Sequence, residues 1–210
     1  ILTWIDETFY PERTKYAEAL KKYSNSISGQ IESKELLKEL GIWVSKTIGI
    51  NPVIPFALNP QLAGNVPFRY NDNESVIHRI RGGSKFFWDE ISERSRITVD
   101  ENEIEWIRDN DISVTIPMIS QGELIGVLNL GKKQNHEDFS AEDLDILTQA
   151  SAHTALALQN LNLQSVYIDK KRMDKELEMA RNIQRRLMPQ EIPHVTGLEV
   201  YGESRPCYEV

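Results

Sequence analysis

Cysteine is nearly absent from this chain. Its one cysteine, Cys207, excludes an intrachain disulfide framework and fits a reducing compartment. There is no apolar run long enough to cross a bilayer and no signal-peptide pattern, so a cytoplasmic location is expected. An excess of positive charge is also missing. The net charge of −8 argues against nucleic acid as a main partner. Between Gly131 and Pro189 there is no glycine and no proline, so nothing in that stretch breaks a helix. Metal-ligand spacing is missing too. His78, His136, His153 and His194 are scattered, and no metal site is expected among them. Cys207 has no neighbouring base or helix start to activate it. No catalytic residue is assigned in this chain.

What is present has a clear order. The 40% hydrophobic content supports a sizeable core, and 210 residues suffice for one domain with a connector, or two small domains. The chain begins at Ile1 without a methionine, which suggests a piece of a longer protein. Pro11 suits a first helical turn, and Tyr16, Leu20, Tyr23 and Ile27 mark one helix face, with Gly29 as its end or bend. A second helix is expected from Ser33. Its apolar face is Leu36, Leu37, Leu40, Trp43, Val44 and Ile48, and its stop is Gly49. Residues 53–58 and 66–70 read as strands, and Pro52 and Pro55 push the first towards a sheet edge or bulge. Glu74 to Ile80 reads as a short helix, Lys85 to Trp88 as a short strand, and Glu101 to Arg108 as a helix burying Ile104 and Ile107.

The clearest hairpin follows. Ile112, Val114, Ile116 and Met118 alternate with polar residues, Gln121 and Gly122 turn, and Leu124 to Leu130 return. Gly126 and Gly131 mark a bulge or a close backbone approach. Helices, antiparallel strands and a final helix make an α+β fold. That last helix is expected from Ser140 to Met188, with Ser140 and Asp143 as reciprocal caps. At ~1.5 Å per residue it is roughly 70 Å long, more than one domain needs. Its Leu144, Leu147 and Leu158 side is expected to pack on the sheet or the first helices. Beyond Asn160, Val166, Lys170, Met173, Leu177, Ala180, Gln184 and Leu187 step by four and three, as coiled-coil seam positions do. Val166, Met173, Leu177, Ala180 and Leu187 are the apolar members of that seam, and a homodimer through helices is expected. The upstream phase (Leu147, Thr154, Leu158, Leu161, Ser165, Ile168) joins it with a stutter. Asp89 to Asp111 is acidic, whereas Asp169 to Arg186 carries seven basic residues, read as a solvated helix face.

Two stretches carry family resemblances. IPMISQGELIGVLNLGKK followed by DFSAEDLDILTQASAHTALALQNLNL resembles the C-terminal half of a GAF domain. The match is close over 112–163 and holds by layout over 30–111. It implies a central antiparallel sheet with helices on one face, a ligand-sized pocket on the other, and a long C-terminal linker helix. Arg81, Lys85, Phe86 and Trp88 are the pocket candidates, with Phe87 beside them; the ligand itself is unknown. Bilin attachment is not expected, because no cysteine lies in this region, and the cyclic-nucleotide signature is not found.

KELEMARNIQRRLMPQEIPHVTGLEVYGESRPCYEV resembles the entry to a SpoIIE/RsbU-type (PPM-type) serine/threonine phosphatase domain. Ala180, Ile183, Gln184, Leu187, Pro189, Gly197, Leu198, Glu199, Arg205, Pro206 and Val210 fall on that pattern. The resemblance implies a phosphoprotein substrate and Mn or Mg in the complete domain. The metal-binding acids would follow Val210, so the segment alone is expected to be non-catalytic. The organisation expected is a helical segment at 1–31, a GAF sensor at 32–163, a coiled-coil linker at 164–188 and a phosphatase start at 189–210, where Gly197 to Arg205 would be a first strand. Two rivals remain: a ligand-free GAF module for dimerisation or protein interaction, and a sensor feeding another signalling output.

Overall fold

The computed structural model describes residues 11–27, 29, 32–59, 62, 80, 82–88, 101–187, 196–197 and 201, with side chains from Lys15 onward. The strand expected at 66–70, most of the helix at Glu74–Ile80, Arg81, His78, His194, Cys207 and the strand at Gly197–Arg205 fall outside those residues, save Ile80, Gly197 and Tyr201. The chain divides into two compact units, Ile1–Asn162 and Leu163–Val210.

In the first unit, α1 (Pro11–Ile27) and α2 (Ser33–Ile48) begin and end at the punctuation read from the sequence. α2 stops because Gly49 adopts φ 75°, a left-handed cap open to glycine at no steric cost, and its N–H donates to the Ser45 carbonyl at 3.1 Å. Leu36, Leu37, Leu40, Val44 and Ile48 are buried as one face of α2; Leu20, Tyr23 and Ile27 do the same for α1.

The sheet consists of β1 (Ile50–Ala57), β2 (Phe86–Phe87), β3 (Val114–Ser120) and β4 (Glu123–Lys133), antiparallel in the order β1-β4-β3-β2. β1 lies at an edge, as its two prolines require, but it starts three residues earlier than expected. Ile50 and Asn51 find partners in Lys133 and Lys132, which also carries β4 past the expected end at Leu130. β2 is shorter than the expected run, because only Phe86 and Phe87 reach β3, opposite Thr115 and Val114. The β3–β4 turn places Gln121 at φ 52° and Gly122 at φ 82°, the twist that favours tight hairpins. At Gly126 a β-carbon would collide with the Phe56 carbonyl and the Met118 methyl, so the glycine is a packing requirement of β1 against β4.

Each strand sorts its side chains between two cores. Val114, Ile116, Met118, Leu128 and Leu130 face α1, α2 and the long helix α4 (Ala141–Leu187). On the other face Val127 joins Ile80, Trp88, Ile107 and Ile112, with Ile107 supplied by α3 (Glu101–Asp109). Ile112, read from the sequence in one row with Val114, therefore belongs to the opposite core: it precedes β3, and its N–H closes onto the Ile107 carbonyl at 3.0 Å. Both faces of β3 are covered, and even Thr115 is only 3% exposed.

The start of α4 is the reciprocal cap read from the sequence. The Asp143 N–H donates to Ser140 Oγ, and the Ser140 N–H to Asp143 Oδ2, both at 3.0 Å. Its buried row is Ile146, Leu147, Ala150, Ser151, Thr154, Ala155 and Leu158. Leu144, expected on that row, is only partly buried; it stands in the first turn of the helix. In the second unit, every residue of α4 from Leu163 to Leu187 is exposed. Among the described residues, no helix is long and apolar enough to cross a membrane.

Candidate ligand face and signalling helix

The face of the sheet opposite α1, α2 and α4 is the candidate binding face. Cross-strand pairs share a face, so Thr115, Asn129 and Ile54 point to the same side, as do Pro117, Val127 and Phe56. Phe86, opposite Thr115, joins them. Aromatic rings dominate the surroundings. Phe86 meets Trp88 edge-on with centroids 5.1 Å apart, and Phe56 meets Trp106 of α3 at 5.4 Å.

A polar chain runs through these rings. Trp88 Nε1 donates to Thr115 Oγ1 at 2.8 Å, and Thr115 Oγ1 donates to Asn129 Oδ1 at 2.7 Å. The indole N–H can only donate, so Thr115 accepts it and passes its own proton onward. Turning the Asn129 amide over would strand the threonine proton. Asn129 therefore presents its NH2 group, which has no hydrogen-bond partner among the described residues although Asn129 is only 2% exposed. Burying such a donor unpaired costs about 1–3 kcal/mol.

Among the described residues, two clefts lie near the Lys132–Lys133 end of β4. One, of about 510 Å³, is lined by Pro52, Ile107, Arg108, Ile112, Ser113 and Lys132, among others. The other, of about 450 Å³, is lined by Phe87, Ser113, Lys132, Lys133, His136 and Phe139, among others.

The sequence-derived pocket candidates separate. Phe86 and Trp88 lie on the candidate face, and Trp88 is buried. Lys85 is half-exposed beside them. Phe87 turns to the opposite core, because strand alternation sends neighbours to opposite faces. Arg81 is outside the described residues. Thr115 and Asn129 were not anticipated. The available signal was a lone asparagine inside the apolar return strand Val127-Leu128-Asn129-Leu130.

The second candidate element is the root of α4. Asp143, 1% exposed, accepts from Lys133 Nζ at 2.8 Å, from the Tyr16 hydroxyl at 2.9 Å and from the Ser140 N–H. Burial opposes its charge, but these three donors outweigh burial and hold its carboxyl below the usual aspartate range. One carboxylate thus ties α1, the end of β4 and the first turn of α4. Further along, the Tyr23 hydroxyl meets Thr154 Oγ1 at 2.6 Å. Thr154 gives its own proton to the Ala150 carbonyl, so Tyr23 is the donor. Burial raises the Tyr23 pKa, keeping that donor protonated. Ser24 and His153 Nδ1 are 2.6 Å apart.

The seam candidates lie in the second unit and are all exposed: Val166 56%, Met173 64%, Leu177 52% and Leu187 80%, with Ala180 also exposed. Arg172 lies between Asp169 and Glu176 at 3.9 and 3.8 Å, ion pairs along the helix surface.

An antiparallel sheet with α1, α2 and the first half of α4 on one face and α3 on the other, α4 continuing as the long exit helix, is the GAF-like architecture. The chain belongs to the GAF domain family, a class of sensory and regulatory signalling modules, and the family model matches residues 52–159. It is similar to the GAF domain of a phosphoenolpyruvate-protein phosphotransferase from Coxiella burnetii, at 14% identity and a TM-score of 0.55, covering 73% of this chain and 98% of that one. It is also similar to residues 122 to 287 of a methyl-accepting chemotaxis protein, at 17% identity and a TM-score of 0.53, covering 68% and 98%. A third similar structure is the GAF domain of the Acinetobacter phosphoenolpyruvate-protein phosphotransferase, at 14% identity and a TM-score of 0.52, covering 70% and 94%. At these identities the likeness is one of fold. No curated protein matches the chain.

Proposed function

We propose that this chain is the regulatory region of a SpoIIE/RsbU-type metal-dependent protein serine phosphatase: a GAF sensor passing its state through a dimeric signalling helix to the output domain. The observation that carries the reading is the continuity of α4. It starts at a buried cap inside the GAF domain and runs without a break to Leu187, next to the Pro189 segment that resembles the phosphatase entry. Two-state transmission needs an element that both ends can bias. The seam of Val166, Met173, Leu177, Ala180 and Leu187 supports pairing with a second copy, because an apolar stripe exposed at heptad spacing is stabilised by burial against its like. Lys170 and Gln184 within that seam weaken it and allow a second register. The metal-binding acids of the phosphatase family would follow Val210, and no residue of 1–210 is assigned to Mn or Mg. The substrate proposed is a phosphorylated regulatory protein.

The test is dephosphorylation of a phosphoserine protein by the polypeptide carrying the complete output domain. Met173→Pro breaks the helix and is expected to abolish regulation while leaving the GAF fold intact. Regulation that survives Met173→Pro, or an output domain without phosphatase activity, would contradict the reading.

A second reading has its own observation. Phe56, Phe86, Trp88 and Trp106 fill the candidate face with the domain's own rings. That packing favours a GAF domain that binds no small molecule and serves dimerisation or protein interaction.

A further inference from the structure

Within the GAF domain α4 has a second face. Its inner row, including Leu147, Thr154 and Leu158, is fully buried against the domain. Stepping the seam back from Val166 by threes and fours gives Leu163, Gln159, Leu156 and Ala152, which lie on a different side of the helix. Leu156 is 47% exposed, and Ala152 is exposed one turn before it. The stutter read from the sequence is therefore the angle between these two faces, and the seam itself runs on in phase. Its apolar part ends at Ala152. The next two positions of the stripe are Gln149 and Asp145, which bond each other, Gln149 Nε2 donating to Asp145 Oδ2 at 2.9 Å. The domain also fixes which way the stripe points. Ser120 Oγ donates to Gln159 Oε1 at 2.7 Å, and Asn59 Nδ2 donates to Asn162 Oδ1 at 3.3 Å. The end of β3 and the segment after β1 thus hold α4 against rotation where it leaves the sheet.

We infer that a second copy of this chain covers Ala152 and Leu156 in parallel register, so that the dimer seam begins on the body of the GAF domain and not beyond it. This deepens the dimeric-helix part of the proposed function and rests on it. The flanking charges select a second copy as the partner. Lys170, inside the seam, is bracketed by Asp169 and Asp174 at the two flanking positions, and in a parallel pair these are the groups that a partner helix offers to it. Glu176 and Arg181 occupy flanking positions that meet across such a pair with opposite sign. Ala152 and Leu156 extend the seam and do not replace it. A stable interface buries roughly 1,200–2,000 Å² in all, more than one leucine and one alanine provide. Along this stretch the helix is held by its own sheet on one side and by the second copy on the other.

The test is disulfide cross-linking of the full 210-residue chain, with Cys207→Ser removing its one cysteine and a single cysteine placed by Leu156→Cys, Leu163→Cys or Gln164→Cys. All three positions are exposed, so the substitutions leave the GAF core intact. A disulfide needs α-carbons within roughly 7 Å, which facing seam positions satisfy and the outward Gln164 does not. Under mild oxidation the Leu156 and Leu163 variants are expected to cross-link at similar rates, and the Gln164 variant at least about ten-fold more slowly. Leu156→Asp is expected to raise the dissociation constant of the dimer by about ten-fold or more in sedimentation, and Gln164→Asp by less than about three-fold. Cross-linking at Leu163 but not at Leu156, or an unchanged dissociation constant in Leu156→Asp, would overturn the inference and leave the dimeric helix standing. No cross-link at either position would overturn both. A Gln164 variant that links as fast as the Leu156 variant would mark the links as chance collisions and overturn the inference as well.

Discussion

The two halves of α4 are one helix by backbone and two different objects by surroundings. From Ala141 to Leu158 it is capped, buried along one row and tied to α1 by side-chain hydrogen bonds. From Leu163 to Leu187 no residue is buried, although the stretch carries Leu163, Val166, Tyr167, Ile168, Met173, Leu177, Met179, Ile183 and Leu187. Helical periodicity therefore says where an apolar face is, and only the neighbourhood says whether the chain itself covers it. The first half is stabilised within its own domain. The second half leaves a heptad stripe for something else to cover.

Substitutions can break this contrast directly. Leu147→Ala, at a fully buried position, is expected to cost about 2–5 kcal/mol in the first half, whereas Leu177→Ala in the 210-residue chain should leave the melting transition of the GAF domain unchanged. Thermal unfolding of the two variants side by side checks this, and similar losses would erase the distinction.

Asp143→Asn sharpens the role of the helix root. It removes the charge that Lys133 faces at 2.8 Å and is expected to cost about 1–3 kcal/mol. The pH dependence gives a second readout. The folded-state pKa of Asp143 is lowered, so the unfolded chain takes up the proton first as pH falls. The stabilisation is present above about pH 4 and is lost below it. Asp143→Asn should flatten that part of the stability profile, seen as denaturant midpoints measured between neutral and acid pH.

Tyr23→Phe removes one buried donor from the contact between α1 and α4 and is expected to cost about 0.5–1.5 kcal/mol by denaturant titration. Arg172→Ala, in the exposed half, should change stability by less than about 0.5 kcal/mol, because its ion pairs are exposed to water. A larger Arg172 effect would mean that the Arg172 face of the helix, outside the seam, is covered in solution.

Much of this fold was legible in the sequence because its signals are local. Gly49 stops α2, Ser140 and Asp143 cap α4, and Gln121-Gly122 turns the hairpin, each through a few neighbouring residues. The candidate site was half legible. Phe86 and Trp88 were found from an aromatic run, but the same run also offered Phe87, which strand register sends to the opposite core. Thr115 and Asn129 became a pair only through β3–β4 register, which periodicity alone does not reveal. The inner row of α4 also includes Ser151 and Thr154, and Thr154 is matched to Tyr23 on a helix far away in sequence, a pairing that periodicity alone does not reveal.

The most direct measurement is the molar mass in solution of the whole chain and of a version ending at residue 164. The expected result is a dimer of the 24.1 kDa chain that becomes a folded monomer on truncation, which places assembly in the exposed half of α4. A dimer in both cases would move the contact into the GAF domain, and a monomer in both would contradict a dimeric signalling helix.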